Sequence, residues 1–80
     1  MSARAEDTLD FVARQLVDHP DEVRVEVDED GDDLVLHLIV HGDDIGKVIG
    51  RHGRTAKALR TLVKAAGTLD DVNVSMEIDD

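Results

Sequence analysis

Gly46-Lys-Val-Ile-Gly-Arg-His-Gly-Arg-Thr-Ala-Lys-Ala-Leu-Arg-Thr-Leu-Val-Lys-Ala-Ala66 is the stretch on which the reading of this chain turns. Its centre is a two-residue link, Arg51-His52, with a glycine at each end. Gly50 and Gly53 remove the Cβ atoms that would block a tight turn and let another backbone come close. After the link, Ala56, Leu59, Val63 and Ala66 recur at three, four and three, the spacing of one face of a helix from Arg54 to Ala66. At 100° per residue Arg54, Lys57, Arg60 and Lys64 fall on a separate stripe, and Gly67 is placed to cap the helix C-terminus. Before the link, Ile45, Val48 and Ile49 give the apolar side of a helix of under two turns. Gly50 stops that helix, and Asp43 is placed as its N-cap.

Working outward, Leu34 to Val40 is apolar except for His37, as expected of a central strand covered on most of both faces. Gly42 breaks it. Val23, Val25 and Val27 alternate with Arg24, Glu26 and Asp28, a strand with one buried face, and Asp30-Gly31 turns the two strands back on each other. Between Ala5 and Asp18, Ala5, Leu9, Val12 and Leu16 mark the buried face of an amphipathic helix that His19-Pro20 ends. Val72, Val74, Met76 and Ile78 alternate as a last strand. The order helix, strand, strand, helix, helix, strand predicts an α+β fold. The first two strands form an antiparallel hairpin, and the two-helix crossover returns the third parallel to the second. The three-stranded mixed sheet then carries all helices on one face. Residues 1–80 read as one domain, with the first few residues and Asp79-Asp80 frayed.

Eighty residues suffice for one core that buries about 60% of the unfolded chain's surface, which leaves little room for an elaborate active site. There is no cysteine, so disulfides, thiolate zinc sites and cysteine nucleophiles are excluded. No apolar run approaches the roughly 20 residues of a membrane span, and the N-terminus lacks a signal-peptide h-region. A cytoplasmic chain beginning near Met1 is expected. Net charge is −10, which by itself argues against a polyanionic partner. The distribution reverses that reading. From Ile45 to Leu69 there are six basic residues and no acidic one, whereas the remainder holds three basic against all 19 acidic residues, a net −16. The acidic remainder, with Asp outnumbering Glu 14 to 5, is explained by solubility.

The chemistry of the link follows from its position. The N–H groups at the start of the second helix are unpaired, and the helix dipole there favours an anion. Arg51 and Arg54 add charge-assisted contacts, with Lys47 as a flexible cation beside them, so the segment is a phosphate cradle in principle. A bare pair of glycines serving turn geometry alone is the plain alternative. The acid-free basic stripe favours the cradle, since an ordinary exposed helix mixes signs. The histidines do not point to a metal. His37 and His41, four apart on a strand, lie about 13 Å apart and cannot share an ion. His52 sits in the link, where it can donate to a phosphate or be a simple turn residue. Asp32-Asp33, Asp43-Asp44 and Asp70-Asp71 are turn and cap residues. No Ser/His/Asp arrangement, Walker loop or EF-hand spacing occurs, so neither an enzyme, a cofactor nor a small-molecule substrate is expected.

Val48-Ile-Gly-Arg-His-Gly-Arg54 resembles the signature of the KH domain: an apolar pair, GxxG and a basic helix start. The element order resembles the type II, prokaryotic arrangement, over nearly the whole chain. The size and the Gly46–Ala66 segment resemble the KhpA family of small bacterial RNA-binding proteins. The resemblance implies that the loop clamps the backbone of single-stranded RNA, in post-transcriptional regulation or as an RNA chaperone. Gly50, Arg51, His52 and Gly53 would hold phosphates, flanked by Lys47, Arg54 and Lys57. Bases would lie over Ile45, Val48 or Ile49 with a second-strand residue such as Ile39. It also implies pairing with a second copy, or with a larger KhpB-like KH protein. Phe11 is the only aromatic and offers no stacking platform. The competing reading is a protein-interaction module, with weak or ribosome-associated RNA binding, in which Leu59 and Leu62 on the long helix hold a partner.

Overall fold

In the computed structural model, which describes residues 3–79 with side chains from Ala5 onward, six main elements follow in the expected order. They are α1 (Ala3–Leu16), β1 (Arg24–Asp30), β2 (Asp33–Ile39), α2 (Ile45–Ile49), α3 (Arg54–Leu69) and β3 (Asn73–Asp79). The sheet has the order β1-β2-β3. β1 and β2 are antiparallel, with Arg24 opposite Ile39, and β2 and β3 are parallel, with Leu36 beside Met76. The fraying expected at residues 1, 2 and 80 lies outside the described residues. Asp79, expected to fray, instead closes β3 opposite Ile39.

The core lies between the sheet and the helices. Leu9, Ala13, Leu36, Leu38, Val48 and Val63 are fully buried, with Val23 and Val74 at 1% exposure. On α1 the buried face is Ala5, Leu9 and Ala13, rotated from the expected one. Val12 is half-buried and Leu16 exposed, because α3 packs beside α1 and leaves these two at the seam. The expected buried face of β1 also fades, from the buried Val23 just before the strand through the half-buried Val25 to the exposed Val27, because β1 is a sheet edge. β2 is covered on one face rather than both: Leu34, Leu36, Leu38 and Val40 are buried, while Val35, His37 and Ile39 are half-buried on the open face. Their shelter comes from side chains of the two flanking strands, not from a second layer. The hairpin link is Gly31-Asp32, since Asp30 already pairs with Asp33, with Gly31 at φ +63.

Helix ends depart from expectation in an informative way. Gly67 does not cap α3, which runs on to Leu69. It is buried in the last turn, where a Cβ would lie 2.5 Å from Val74 Cγ2 and 2.7 Å from the Val72 carbonyl oxygen. Its missing side chain is what lets β3 return so close to the helix. The left-handed residue past the helix is Asp71, at φ 59. Asp43 does not cap α2 either. Its N–H donates to His41 Nδ1 at 3.0 Å, within a 3-10 turn over Gly42–Asp44.

Candidate nucleic-acid interface

The GxxG loop is built from backbone conformations that few side chains tolerate. Gly50 stands at φ 77, ψ 172 and Gly53 at φ 73, ψ 14, with His52 between them at φ 57, ψ 24. Gly50 N–H closes α2 on the Gly46 carbonyl at 2.8 Å, and Gly53 N–H bonds to the Gly50 carbonyl at 3.1 Å. The two glycines differ in their surroundings. A Cβ at Gly50 would overlap the Thr55 side chain and lie 2.9 Å from the Thr55 nitrogen, whereas one at Gly53 meets nothing within 4 Å. Gly50 is required by the packing of the loop onto α3, and Gly53 leaves open space above the helix start. No side chain caps α3; the Arg54 N–H is held by the Arg51 carbonyl, which leaves the amides after it in the first turn as the ones an anion would meet.

Arg51, His52, Arg54 and Lys57 are exposed around this opening. Among the described residues, none of Arg51, Arg54, Lys57, Arg60 and Lys64 pairs with a carboxylate. Lys47 is different. Its Nζ lies 3.2 Å from Asp18 Oδ2 and 4.0 Å from Asp44 Oδ1, so the structure ties it to the end of α1 instead of leaving it free beside the loop.

Asp44 is the residue that sequence reasoning missed. It is fully buried, and its carboxylate accepts the backbone N–H of Asp18 at 3.2 Å, that of His19 at 3.0 Å and the His19 ring at Nδ1, 3.0 Å. These bonds satisfy donors just past the end of α1 and pin that end to the start of α2. They also end α1 at Leu16, before Pro20 is reached. Desolvation pushes the Asp44 carboxyl up, but the His19 ring bond and the two backbone N–H bonds outweigh it and hold it below the ordinary carboxylate value. An ionised carboxylate only accepts, so His19 Nδ1 carries the proton. The His19 ring stacks on His41, centroids 4.0 Å apart at 12°. Adjacency to Asp43 in an acidic chain hid the role of Asp44; only the fold brings residues 18 and 19 to it.

The expected base-binding floor is not assembled as a unit. Ile49 is exposed beside the loop and Ile45 is half-buried, but Val48 is wholly buried and Ile39 belongs to the open sheet face. The alternation of β2 sends Leu38 and Val40 toward the helices and Ile39 away. The expected partner patch is corrected in the same way. Leu59 is 3% exposed, because it faces the core, and Leu62 is 37% exposed. Leu62 opens with Val12, Leu16, Thr55 and Ala58 onto an apolar groove of about 330 Å³ between α1 and α3, with Arg54 at its rim and the buried Leu59 in its lining.

A helix-GxxG-helix unit with a basic, acid-free second helix, set on a three-stranded mixed sheet, defines a KH domain of type II topology. The family description "KhpA/KhpB, KH domain" matches residues 6–78. RNA-binding protein KhpA of Halalkalibacterium halodurans is 53% identical over 72 residues, which cover 90% of this chain and 95% of that protein. RNA-binding protein KhpA of Bacillus subtilis is 49% identical over 75 residues, 94% and 93% of the two chains. Among solved structures, Aquifex aeolicus Era bound to GDP.AlF4- has a TM-score of 0.64 at 19% identity, covering 92% of this chain and 29% of that one, a likeness of fold. The chain belongs to the KhpA/KhpB KH-domain family.

Proposed function

We propose that this chain binds single-stranded RNA by its backbone, with the Gly50–Gly53 loop and the first turn of α3 holding phosphate and Arg51, Arg54 and Lys57 supplying the charge. The observation that carries this reading is the row of cations on α3, paired with no carboxylate among the described residues, beside a helix start without a side-chain cap, in a molecule whose other faces are acidic. The names of its relatives support RNA as the ligand. Lys47 acts mainly as a structural cation, and His52 offers a ring donor at the loop. Contacts of this kind read backbone rather than bases, so binding is salt-sensitive and tolerant of sequence. The non-catalytic role that follows is RNA chaperoning or post-transcriptional control in the cytoplasm. No described helix is long and apolar enough to cross a membrane.

The apolar groove beside Leu62 favours a second statement. One such domain holds only a short stretch of RNA, and pairing with a second copy or with a KhpB-like KH protein through this groove joins two weak sites into one useful one. Fluorescence anisotropy with a labelled single-stranded RNA tests the first reading. Arg51→Ala with Arg54→Ala should lower affinity and reduce the slope of log K against log salt by about 1.4, roughly 0.7 for each phosphate no longer neutralised. An unchanged slope would remove the loop from the binding site.

A further inference from the structure

The open face of the sheet gathers side chains that no role in RNA binding uses. Parallel register places His37 of β2 directly beside Glu77 of β3, and the two-residue period of a strand brings Asp79 onto the same face. His37 Nδ1 lies 3.8 Å from Glu77 Oε1 and 3.4 Å from Asp79 Oδ1. On the other side of the ring, His37 Nε2 lies 2.8 Å from Asp28 Oδ2 on β1. That short contact puts a proton on Nε2, since a carboxylate only accepts, and turns Nδ1 toward two carboxylates at once. Nδ1 so placed faces negative oxygens, and either a proton donated to Asp79 or a metal ion can stand between them.

We infer that His37 Nδ1, Glu77 and Asp79 form a binding site for a divalent transition-metal ion of the Zn²⁺ type, with Asp28 orienting the imidazole from behind. The donor atoms of this trio all lie within 4.8 Å of one another. Ligands at zinc bond lengths on a tetrahedral centre stand about 3.3 Å apart, a closure that the exposed Glu77 and Asp79 side chains reach by small torsional changes. One nitrogen with two carboxylates selects Zn²⁺ and its neighbours over Mg²⁺ and Ca²⁺, which take all-oxygen shells. A ligand histidine whose second N–H is held by a carboxylate is the usual support for such an ion. Water fills the remaining position. The ion would tie β3 to β2 and, through Asp28, to β1. His19, His41 and Asp43 make the other such group among the described residues. There His41 Nδ1 already accepts the Asp43 N–H, and His19 Nδ1 is held by Asp44, so that group is committed to the fold.

The experiment is isothermal titration of the untagged full chain with Zn²⁺ at pH 8, where a proton on Nδ1 competes least, with circular dichroism to verify folding of every variant. One ion per chain is expected. His37→Ala and Glu77→Gln should each weaken binding at least tenfold, Asp28→Asn by about 10- to 100-fold, while His19→Ala with His41→Ala leaves it intact. No saturable binding of Zn²⁺ overturns the proposal; so does binding that survives His37→Ala, or equal binding of Ca²⁺, which would mark the face as a diffuse acidic surface.

Discussion

Replacing Gly50 by alanine should damage the domain far more than replacing Gly53, although the two glycines share one motif. At φ 77, ψ 172 Gly50 occupies a region that is essentially glycine's alone, and holding a residue there costs about 1–3 kcal/mol. The added Cβ would also stand 2.7 Å from Thr55 Cβ and 2.9 Å from Thr55 N. Unstrained carbon contacts are about 3.5–4.0 Å, and overpacking of this kind costs about 1–3 kcal/mol more. The total is about 2–6 kcal/mol, against a whole-domain stability of roughly 4–12 kcal/mol at this length. Gly53→Ala meets no atom and carries only the left-handed backbone cost, about 1–2 kcal/mol. Urea denaturation followed by circular dichroism measures both, and in a domain this size each 1 kcal/mol moves Tm by about 4–8 °C. Thr55→Ala in the Gly50→Ala background should recover only part of the loss, because the Thr55 Cβ and main-chain nitrogen stay in place. Equal midpoints for Gly50→Ala and Gly53→Ala, at unchanged m, would refute the packing argument. The same contrast decides how the loop is probed: substitutions at Gly53 read binding, whereas those at Gly50 read folding first.

Asp44, held below the ordinary carboxylate value by His19 and two backbone N–H groups that outweigh its desolvation, contributes stability that is complete above the unfolded pKa near 4 and lost as pH falls through the lower folded value. Asp44→Asn should therefore be less stable at pH 7, with the gap to wild type narrowing below pH 4; a gap independent of pH would show that the carboxylate charge is not what pins α1 to α2. Gly67→Ala should lower Tm despite alanine's better helix propensity of about 1 kcal/mol, because its Cβ strikes Val74 and the Val72 carbonyl; a raised Tm would mean that β3 shifts freely. Leu62→Glu, which puts a charge into the groove between α1 and α3, should reduce the mass seen in sedimentation velocity while leaving the fold intact, and an unaltered distribution would place any pairing surface elsewhere.

Local signals in the sequence were strong where one periodicity ruled one element. Val74, Met76 and their alternating neighbours gave β3, and Leu59 and Val63 gave the buried side of α3, since a strand or helix shows its period without help from distant residues. Errors arose where the answer depends on what packs alongside. Gly67 has the composition of a helix cap and the position of a close approach to β3, which is visible only when Val72 and Val74 are in place. Val12 and Leu16 continue the apolar period of α1 yet lie at its seam with α3, so that a pattern spanning about half a helix could not say which part meets the sheet. The loop was legible because its glycines and cations are contiguous. Asp44, Lys47 and the ends of α1 were not, since residues 18 and 19 meet residue 44 through folding alone. His37 is the same case: its spacing to His41 speaks against an ion, and its partners Glu77 and Asp79 lie about 40 residues away along the chain.

Charge segregation would let so acidic a chain present the phosphate site proposed above. Among the strand residues the open sheet face carries Glu26, Asp28, Asp30, Asp33, Glu77 and Asp79 against one cation, Arg24, read from the strand registers, and α3 lies on the opposite side of the sheet with its cations turned outward. The shortest extent of the molecule is 19 Å, about two screening lengths at physiological ionic strength, where the Debye length is about 8 Å. A phosphate bound at the start of α3 would thus feel the nearby cations and little of the far carboxylates. Lys47 marks the boundary between these two regions. By giving its charge to Asp18 and Asp44 it shields the nearest acidic residues from the loop, so in the proposed binding it would cancel a repulsion rather than make a contact. On the proposed reading the attraction would fall to Arg51, Arg54 and Lys57, which pair with no carboxylate among the described residues.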